Sequence, residues 1–297
     1  MKKVKPYILP VALALGLLLH SWVSVFTFVV PYAVFAILLL NFVAVDLRKL
    51  TFNRFDLAVV LFQTFVSLGL YVVVKQLLGN EDLAQGAMIC VLCPIASSVV
   101  VVAAALGADR GTTTGYTIYG NLLVSALAPV YFSFIGVQQE MPFFESAALI
   151  FGRIAPVIAL PYFIALFLQW RMPKVKDGLA RFKEWALPIW AFVLLVVLGK
   201  TIDYIFIYHE GNEALIVGMA VIAAVVCAAQ FWIGKLVGGA LGDRISGGQL
   251  FGQKNTGIGI WMALIFLNPM SSVALAFYAI AQNLFNSWQM WVYARRH

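Results

Sequence analysis

The chain alternates long apolar runs with short polar connections, and the runs are too continuous to be single faces of amphipathic helices. Taking about 20 apolar residues per bilayer crossing, the pattern predicts ten helices, at about 7–22, 24–45, 56–78, 83–106, 112–136, 143–169, 185–207, 213–241, 245–267 and 271–293. Two runs are interrupted by polar residues: Cys93-Pro94-Ile95-Ala96-Ser97-Ser98 in the fourth and Gly252-Gln253-Lys254-Asn255-Thr256-Gly257 in the ninth. Lipid gives a backbone amide no hydrogen-bond partner, so a helix broken at mid-depth must face protein or a water-filled cavity. Two such breaks at corresponding places in two halves point to the binding site of a transporter.

Composition agrees with this pattern. Hydrophobic residues make up 63% of the 297 residues and charged ones 11%, against roughly half and a quarter in soluble domains; the mean hydropathy is +0.93. An all-α polytopic membrane protein is expected, with almost no chain left for a soluble domain. Lys and Arg accumulate in cytoplasmic loops. Sixteen of the twenty fall in one alternate set of connections and at both ends: Lys2, Lys3, Lys5, Arg48, Lys49, Arg54, Arg110, Arg171, Lys174, Lys176, Arg181, Lys183, Lys235, Arg244, Arg295 and Arg296. Glu81, Asp82, Glu140, Glu145, Asp203, Glu210 and Glu213 dominate the other set. Both termini are therefore expected in the cytoplasm, in a cell inner membrane. The net charge of +7 is explained by these loops and anionic lipid, so no nucleic-acid partner is expected. The first run follows three lysines but lacks a small-residue cleavage site, and the charge pattern needs it retained.

The spacing also suggests a duplication. Runs two to five and seven to ten start at offsets of about 160 residues, as two five-helix units at 1–140 and 141–297 would. Five is odd, so the second unit enters the membrane inverted, related to the first by an axis in the membrane plane. Thr113, Thr117 and Asn121 share one face of the fifth run, and Asn283 and Asn286 one face of the tenth. The same polar stripes also suit interhelical hydrogen bonding.

Several residues carry candidate chemistry. Pro94 removes a donor and clashes with the preceding turn, placing Ser97 and Ser98 near the start of a second half-helix, where an anion is favoured. Gly252, Gly257 and Gly259 weaken the ninth run, with Asn255 and Thr256 available as caps. Lys254 is the sharpest signal: a lysine near mid-membrane costs about 2.5–3.5 kcal/mol and is functional by default. All thirteen acidic residues lie at or near predicted helix ends, so it has no evident carboxylate partner. Its other readings are snorkelling and a bond to carbonyls freed by the break. Arg153 is a second basic residue inside a run, and it can snorkel outward. Cys90 and Cys93 form a C-x-x-C, but Cys227 makes the count odd and no His lies nearby, so packing suits them better than a disulfide or metal. His20, His209 and His297 form no ligand cluster.

The cysteine-proline-serine segment of the fourth run, Gly107-Ala108-Asp109, Leu127-Ala128-Pro129, and the G-x-x-N-[ST]-G of the ninth run together resemble the bile acid:sodium symporter family. The resemblance covers most of the chain. It implies a panel domain of runs one, two, six and seven, and a core domain of the other six in which the broken helices cross. Family members carry bile acids or smaller organic anions with sodium.

The family's first sodium site maps onto Ser97, Ser98, Thr113, Thr117 and Leu250, where Leu250 stands in place of the family's Glu beside Gln249. The second uses that Glu and the amide position now held by Lys254, beside Gln253. Asn255 and Thr256 match the family's substrate-facing pair, and Asn283 joins the expected substrate set. Sodium needs oxygen ligands and negative charge, whereas this chain has lost a carboxylate and gained an ammonium. The expectation is that Lys254 takes the place of sodium and offers positive charge to an organic anion. Burial disfavours a lysine's charged form, so the proton joins sodium as a candidate coupling ion. No cofactor is expected. Other readings are an arsenite exporter using Cys93 and an intramembrane hydrolase pairing Lys254 with Ser97 or Ser98.

Overall fold

Apolar runs in a solvent without hydrogen-bonding capacity must satisfy their own backbones, and helices are the local way to do so. The computed structural model describes residues 8–96, 98–108, 110–137, 141–208 and 210–296. Among them the regular structure is helical: α1 (Ile8–Val23), α2 (Val30–Val43), α3 (Arg54–Leu61), α4 (Ser67–Leu78), α5 (Glu81–Leu92), α6 (Val99–Ala105), α7 (Arg110–Ile135) and α8 (Phe143–Ile158). There follow α9 (Leu160–Arg171), α10 (Pro173–Ala180), α11 (Ala186–Tyr208), α12 (Glu213–Ala240), α13 (Arg244–Gly252), α14 (Thr256–Phe266) and α15 (Ser271–Arg296). Five helical runs are long and apolar enough to cross a membrane: Leu18–Val43, Arg54–Leu78, Thr113–Ile135, Lys183–Ile207 and Glu213–Ala240. The bent pair α8–α9 makes a sixth if counted as one. The chain is an all-α membrane protein, with large apolar side chains such as Trp22, Phe144 and Trp232 exposed on its outer faces.

Local chemistry sets where the helices begin and bend. Asn53 caps α3 in a reciprocal box with Asp56, Asn80 caps α5 through the Leu83 amide, and Asp243 caps α13 through Ser246, each satisfying amides that a helix start leaves free. The first two expected helices are not separated by a polar loop. They are joined by a 3₁₀ segment, Ser24–Val29, where Ser24 and Thr27 donate to carbonyls three residues back, a local bond that competes with regular helix. The expected sixth helix bends by 45° between α8 and α9, where Pro161 in the first turn of α9 cannot donate to the preceding turn. Between α3 and α4 the chain makes a π-helical turn, Phe62–Val66, and this turn carries Gln63.

Much of the packing falls within two sets of helices, which α7 joins by lying against α8. α1 lies along α11, while α2 packs on α8, α9 and α11. In the other set α12 carries α13, α15 and α5, and α4 lies on α5. The α12–α13 contact depends on missing side chains: a Cβ at Gly247 would collide with the Gly234 carbonyl and the Gly238 backbone. Backbone cannot yield as a flexible side chain does, and overpacking typically costs about 1–3 kcal/mol. Gly247→Ala should therefore lower the thermal midpoint of the purified protein by several degrees, while Gly152→Ala, which meets nothing within 4 Å, leaves it near wild type. Equal midpoints would show that this contact does not hold α13 in place.

Candidate functional site

The fourth and ninth expected runs are both broken. α5 stops at Leu92, with Cys93 leaving the helix at φ −45°, ψ 138°, and α6 starts at Val99; α13 stops at Gly252 and α14 starts at Thr256. Pro94 ends the first because it cannot donate, and the glycines around the second lower the cost of leaving the helix. The extended segments between the halves cross and pair antiparallel at Ile95 and Lys254. The Asn255 amide donates to the Pro94 carbonyl at 2.7 Å and the Ala96 amide to the Gln253 carbonyl at 3.4 Å. The Cys93 thiol donates to the Asn255 carbonyl at 3.1 Å. Gly259 permits this approach, since a Cβ there would lie 2.5 Å from the Cys93 sulfur.

A helix end leaves carbonyls without intrahelical partners, and those at the end of α5 are each matched by a specific donor. Gln230 Nε2 donates to Cys90 O at 3.1 Å, Lys254 Nζ to Val91 O at 2.9 Å, and Gln63 Nε2 to both Leu92 O (2.8 Å) and Cys93 O (2.9 Å). Pro94 O takes the Asn255 amide, and Ile95 O takes Asn121 Nδ2 at 3.4 Å. On the other strand, Tyr278 donates its hydroxyl to Gly252 O at 2.7 Å. Gln282 clasps the Lys254 backbone from both sides, accepting from its N–H at 2.8 Å and donating to its C=O at 3.2 Å. Asn255 caps α14, its side chain accepting from the Ile258 amide.

A cavity of about 540 Å³ ends at this crossing. One wall is α2 and the start of α11, with Ile37, Leu38, Asn41, Phe42, Leu187 and Trp190; the other is Ala96, Ser98, Thr114, Thr117, Ile118, Asn121 and Asn255. Lys183 and Glu184 also line it. At the crossing end its polar groups are hydroxyls and amides. Ser98 accepts from Gln253 Nε2 at 2.7 Å, and Thr117 donates to the Thr113 carbonyl at 2.7 Å. Asn121 leaves its Oδ1 buried and without a hydrogen-bond partner.

The expected residues thus divide. Ser98, Thr117, Asn121 and Asn255 meet at the cavity. Thr113, Gln253 and Thr256 are buried beside it, and Leu250 is fully buried in an apolar cluster with Phe55, Val59, Ile95, Val99, Tyr116 and Phe251. Asn283 donates to the Ala279 carbonyl of its own helix and does not line the cavity. Lys254 makes the contact given as its other reading, a bond to a carbonyl freed by the break. It is 1% exposed and is not among the cavity's lining residues. Its side chain therefore makes no wall of the cavity. Arg153 is exposed on α8. Cys90, Cys93 and Cys227 are buried free thiols. Ser97 lies outside the described residues, as do Asp109, Glu140, His209 and His297. No group of three metal-ligating side chains occurs among the described residues. Gln63, Gln230, Gln282 and Tyr278 were not singled out from the sequence. Their signal is a lone amide or phenol within an apolar run. Neither a protein-family model nor a curated protein sequence matches this chain.

Gln63→Leu would leave the Leu92 and Cys93 carbonyls and the Tyr116 hydroxyl, which donates to Gln63 Oε1 at 3.1 Å, without partners. At about 1–3 kcal/mol for each buried group left unpaired, the variant should unfold well below wild type, with Asn283→Ala as the near-neutral control. Thermal scans in detergent that place the two variants together would refute the bracing role of Gln63.

Proposed function

We propose that the chain is a secondary active transporter of an organic anion working by alternating access, a divergent relative of the bile acid:sodium symporters. The observation that carries this reading is the cavity that ends where two broken helices cross. Irregular backbone at membrane depth is tolerated where it lines a cavity, and in transporters it is where substrate binds. The apolar wall of Ile37, Leu38, Phe42 and Trp190 suits a hydrocarbon body, while Ser98, Asn121 and Asn255 offer neutral polar groups to its head.

The bonding at the crossing supports two inverted five-helix repeats, 1–140 and 141–297, spanning the membrane ten times with both ends in the cytoplasm of a cell inner membrane. Exchanging residues at offsets of about 160 turns the bond from the Asn255 amide to Pro94 O into that from the Ala96 amide to Gln253 O. The same exchange relates Asn121 on Ile95 O to Gln282 on Lys254 O. On this reading α1, α2, α8, α9 and α11 form the panel and α3–α7 with α12–α15 the core, and the cavity opens between them toward Lys183 and Glu184 on the cytoplasmic side.

Sodium fits poorly as the coupling ion. Leu250 sits in an apolar cluster where a carboxylate would be needed, and the ammonium of Lys254 already occupies Val91 O. Coupling to a proton, or transport down the anion's own gradient, agrees better with these residues. An arsenite exporter using Cys93 and an intramembrane hydrolase pairing Lys254 with a serine draw no support from the geometry: Cys93 is fully buried and off the cavity, and Lys254 bonds a carbonyl rather than Ser98.

Bile salts and small carboxylates, screened against the purified protein in choline buffer, should include a compound that raises the thermal midpoint by mass action. Asn121→Ala also removes the donor to Ile95 O and should melt lower on its own, and it should weaken that compound by about ten-fold, the 1.4 kcal/mol of one polar contact, read as a smaller rise above the variant's own midpoint. The proposal fails if no anion stabilises the protein and none is taken up by proteoliposomes under an imposed pH or anion gradient.

A further inference from the structure

The bent pair α8–α9 ends at Arg171 and the next membrane-crossing run begins at Lys183, which puts the stretch between them, including α10, at the bilayer surface. We propose that this stretch is a docking surface for anionic lipid, a short amphipathic segment that lies in the headgroup region and gathers negatively charged lipid from the surrounding leaflet. The inference goes beyond the transport reading and does not depend on what the cavity carries.

The local chain sets the arrangement. Met172 turns out of α9 at φ −134°, ψ 57°, and Pro173 opens α10, where the missing N–H leaves no helical bond unmade. α10 lies against α2 and α9, with Leu179 and Ala180 packed on the core. Outside that contact Met172, Val175, Phe182 and Trp185 remain exposed, as does Trp170 just before the turn. Exposed apolar residues with tryptophan among them, interleaved with lysine and arginine, are the composition of a segment that lies in the membrane interface.

Charge is the second observation. Lys174, Arg181 and Lys183 are exposed between those apolar residues, and Arg171 stands over the Trp170 ring at 4.2 Å from its centre. Gln169, near the end of α9, draws in an arginine from a different connection. Its side chain donates to Val45 O at 2.7 Å and accepts from the Leu47 amide at 3.0 Å, and the exposed Arg48 donates to the Gln169 carbonyl. The acids along these segments are Asp46, Asp177 and Glu184, and Lys176 already pairs with Asp177 at 2.9 Å. The surface is therefore positive on balance. Its apolar members favour a partner that offers hydrocarbon beside its negative charge, which a lipid does and a soluble anion does not.

Trp185 gives a direct readout. The full-length protein is reconstituted in phosphatidylcholine vesicles containing a minority of phosphatidylglycerol, with bromine high on the acyl chains of either the anionic lipid or an equal amount of the zwitterionic one. Quenching of Trp185 is taken as the difference between wild type and Trp185→Phe. The anionic bromolipid should quench it about two-fold more than the zwitterionic one, and the excess should shrink in high salt, which screens exposed charge. Lys174→Gln combined with Arg181→Gln should remove most of the excess while both lipids still quench, because the apolar side chains remain. Lys75→Gln combined with Lys200→Gln, which takes the same charge from exposed lysines elsewhere, should keep it. Equal quenching by the two lipids in wild type overturns the proposal, and so does a Trp185 that neither lipid quenches. An equal loss of the excess in the two double variants would assign the effect to net charge and overturn the site as well.

Discussion

Everything at the centre of this molecule answers one constraint: two segments of the chain leave their helices at membrane depth, where lipid cannot hydrogen-bond them. Each main-chain carbonyl so exposed would cost several kcal/mol in lipid (about 2–7 for an amide without a partner). The break is therefore tolerable only as a pair. Each strand supplies amides to the other at Pro94, Ala96, Gln253 and Asn255, and neighbouring helices supply the rest. Gln63 from the π-helical turn, Gln230 from α12, Asn121 from α7 and Gln282 and Tyr278 from α15 all converge on a few residues of backbone. The position of those four helices is thereby tied to the crossing. Close packing of α12 on α13, which needs Gly234, Gly238 and Gly247, brings the second strand near enough for the bonds to form.

The breaks themselves were legible in the sequence because they are written in residues with one dominant physical meaning. Proline cannot donate and glycine does not hold a helix, so Cys93-Pro94 and the glycines near Lys254 mark the ends of α5 and α13. Long apolar runs likewise marked the helices of a membrane protein. What could not be read was direction. Asn283 was expected at the site, yet its neighbour Gln282 makes the contact; the two lie about 100° apart around the helix, and the rotation of α15 decides between them. Lys254 was expected to face a ligand. Its backbone is held by Gln282 and the side chain reaches Val91 O, the other reading that the sequence had left open, and tertiary pairing decides between the two. Gln63 and Gln230 escaped for a related reason, since one amide in an apolar run reads equally as glue between helices.

The substitution of Leu250 and the placement of Lys254 also make joint electrostatic sense. A buried charge without a partner is costly, and this ammonium has a helix pole and a carbonyl rather than a carboxylate. An acid at residue 250 would be buried inside the cluster of Phe55, Val59, Ile95, Val99, Tyr116 and Phe251. With leucine there, the cluster stays apolar and the cation remains uncompensated by any formal negative charge among the described ion pairs. The result is a lysine at the crossing beside a cavity end lined by hydroxyls and amides.

A crossing braced this heavily is a poor place for motion. The hydrogen bonds there run between residues that would all have to separate together, and rigid packed units change position as bodies rather than deform. The interface of α2 and α11 with the crossing is different in kind. It is mostly apolar, with Val193 against Gly257, and beyond the cavity a polar link joins Thr201 on α11 to Ser272 on α15 at 3.3 Å. Breaking one hydroxyl pair and sliding an apolar face cost far less than unpairing the strands. If the cavity is to open on each side in turn, this is the surface that must move, and the crossing travels with the core as an intact unit, carrying Lys254 with it.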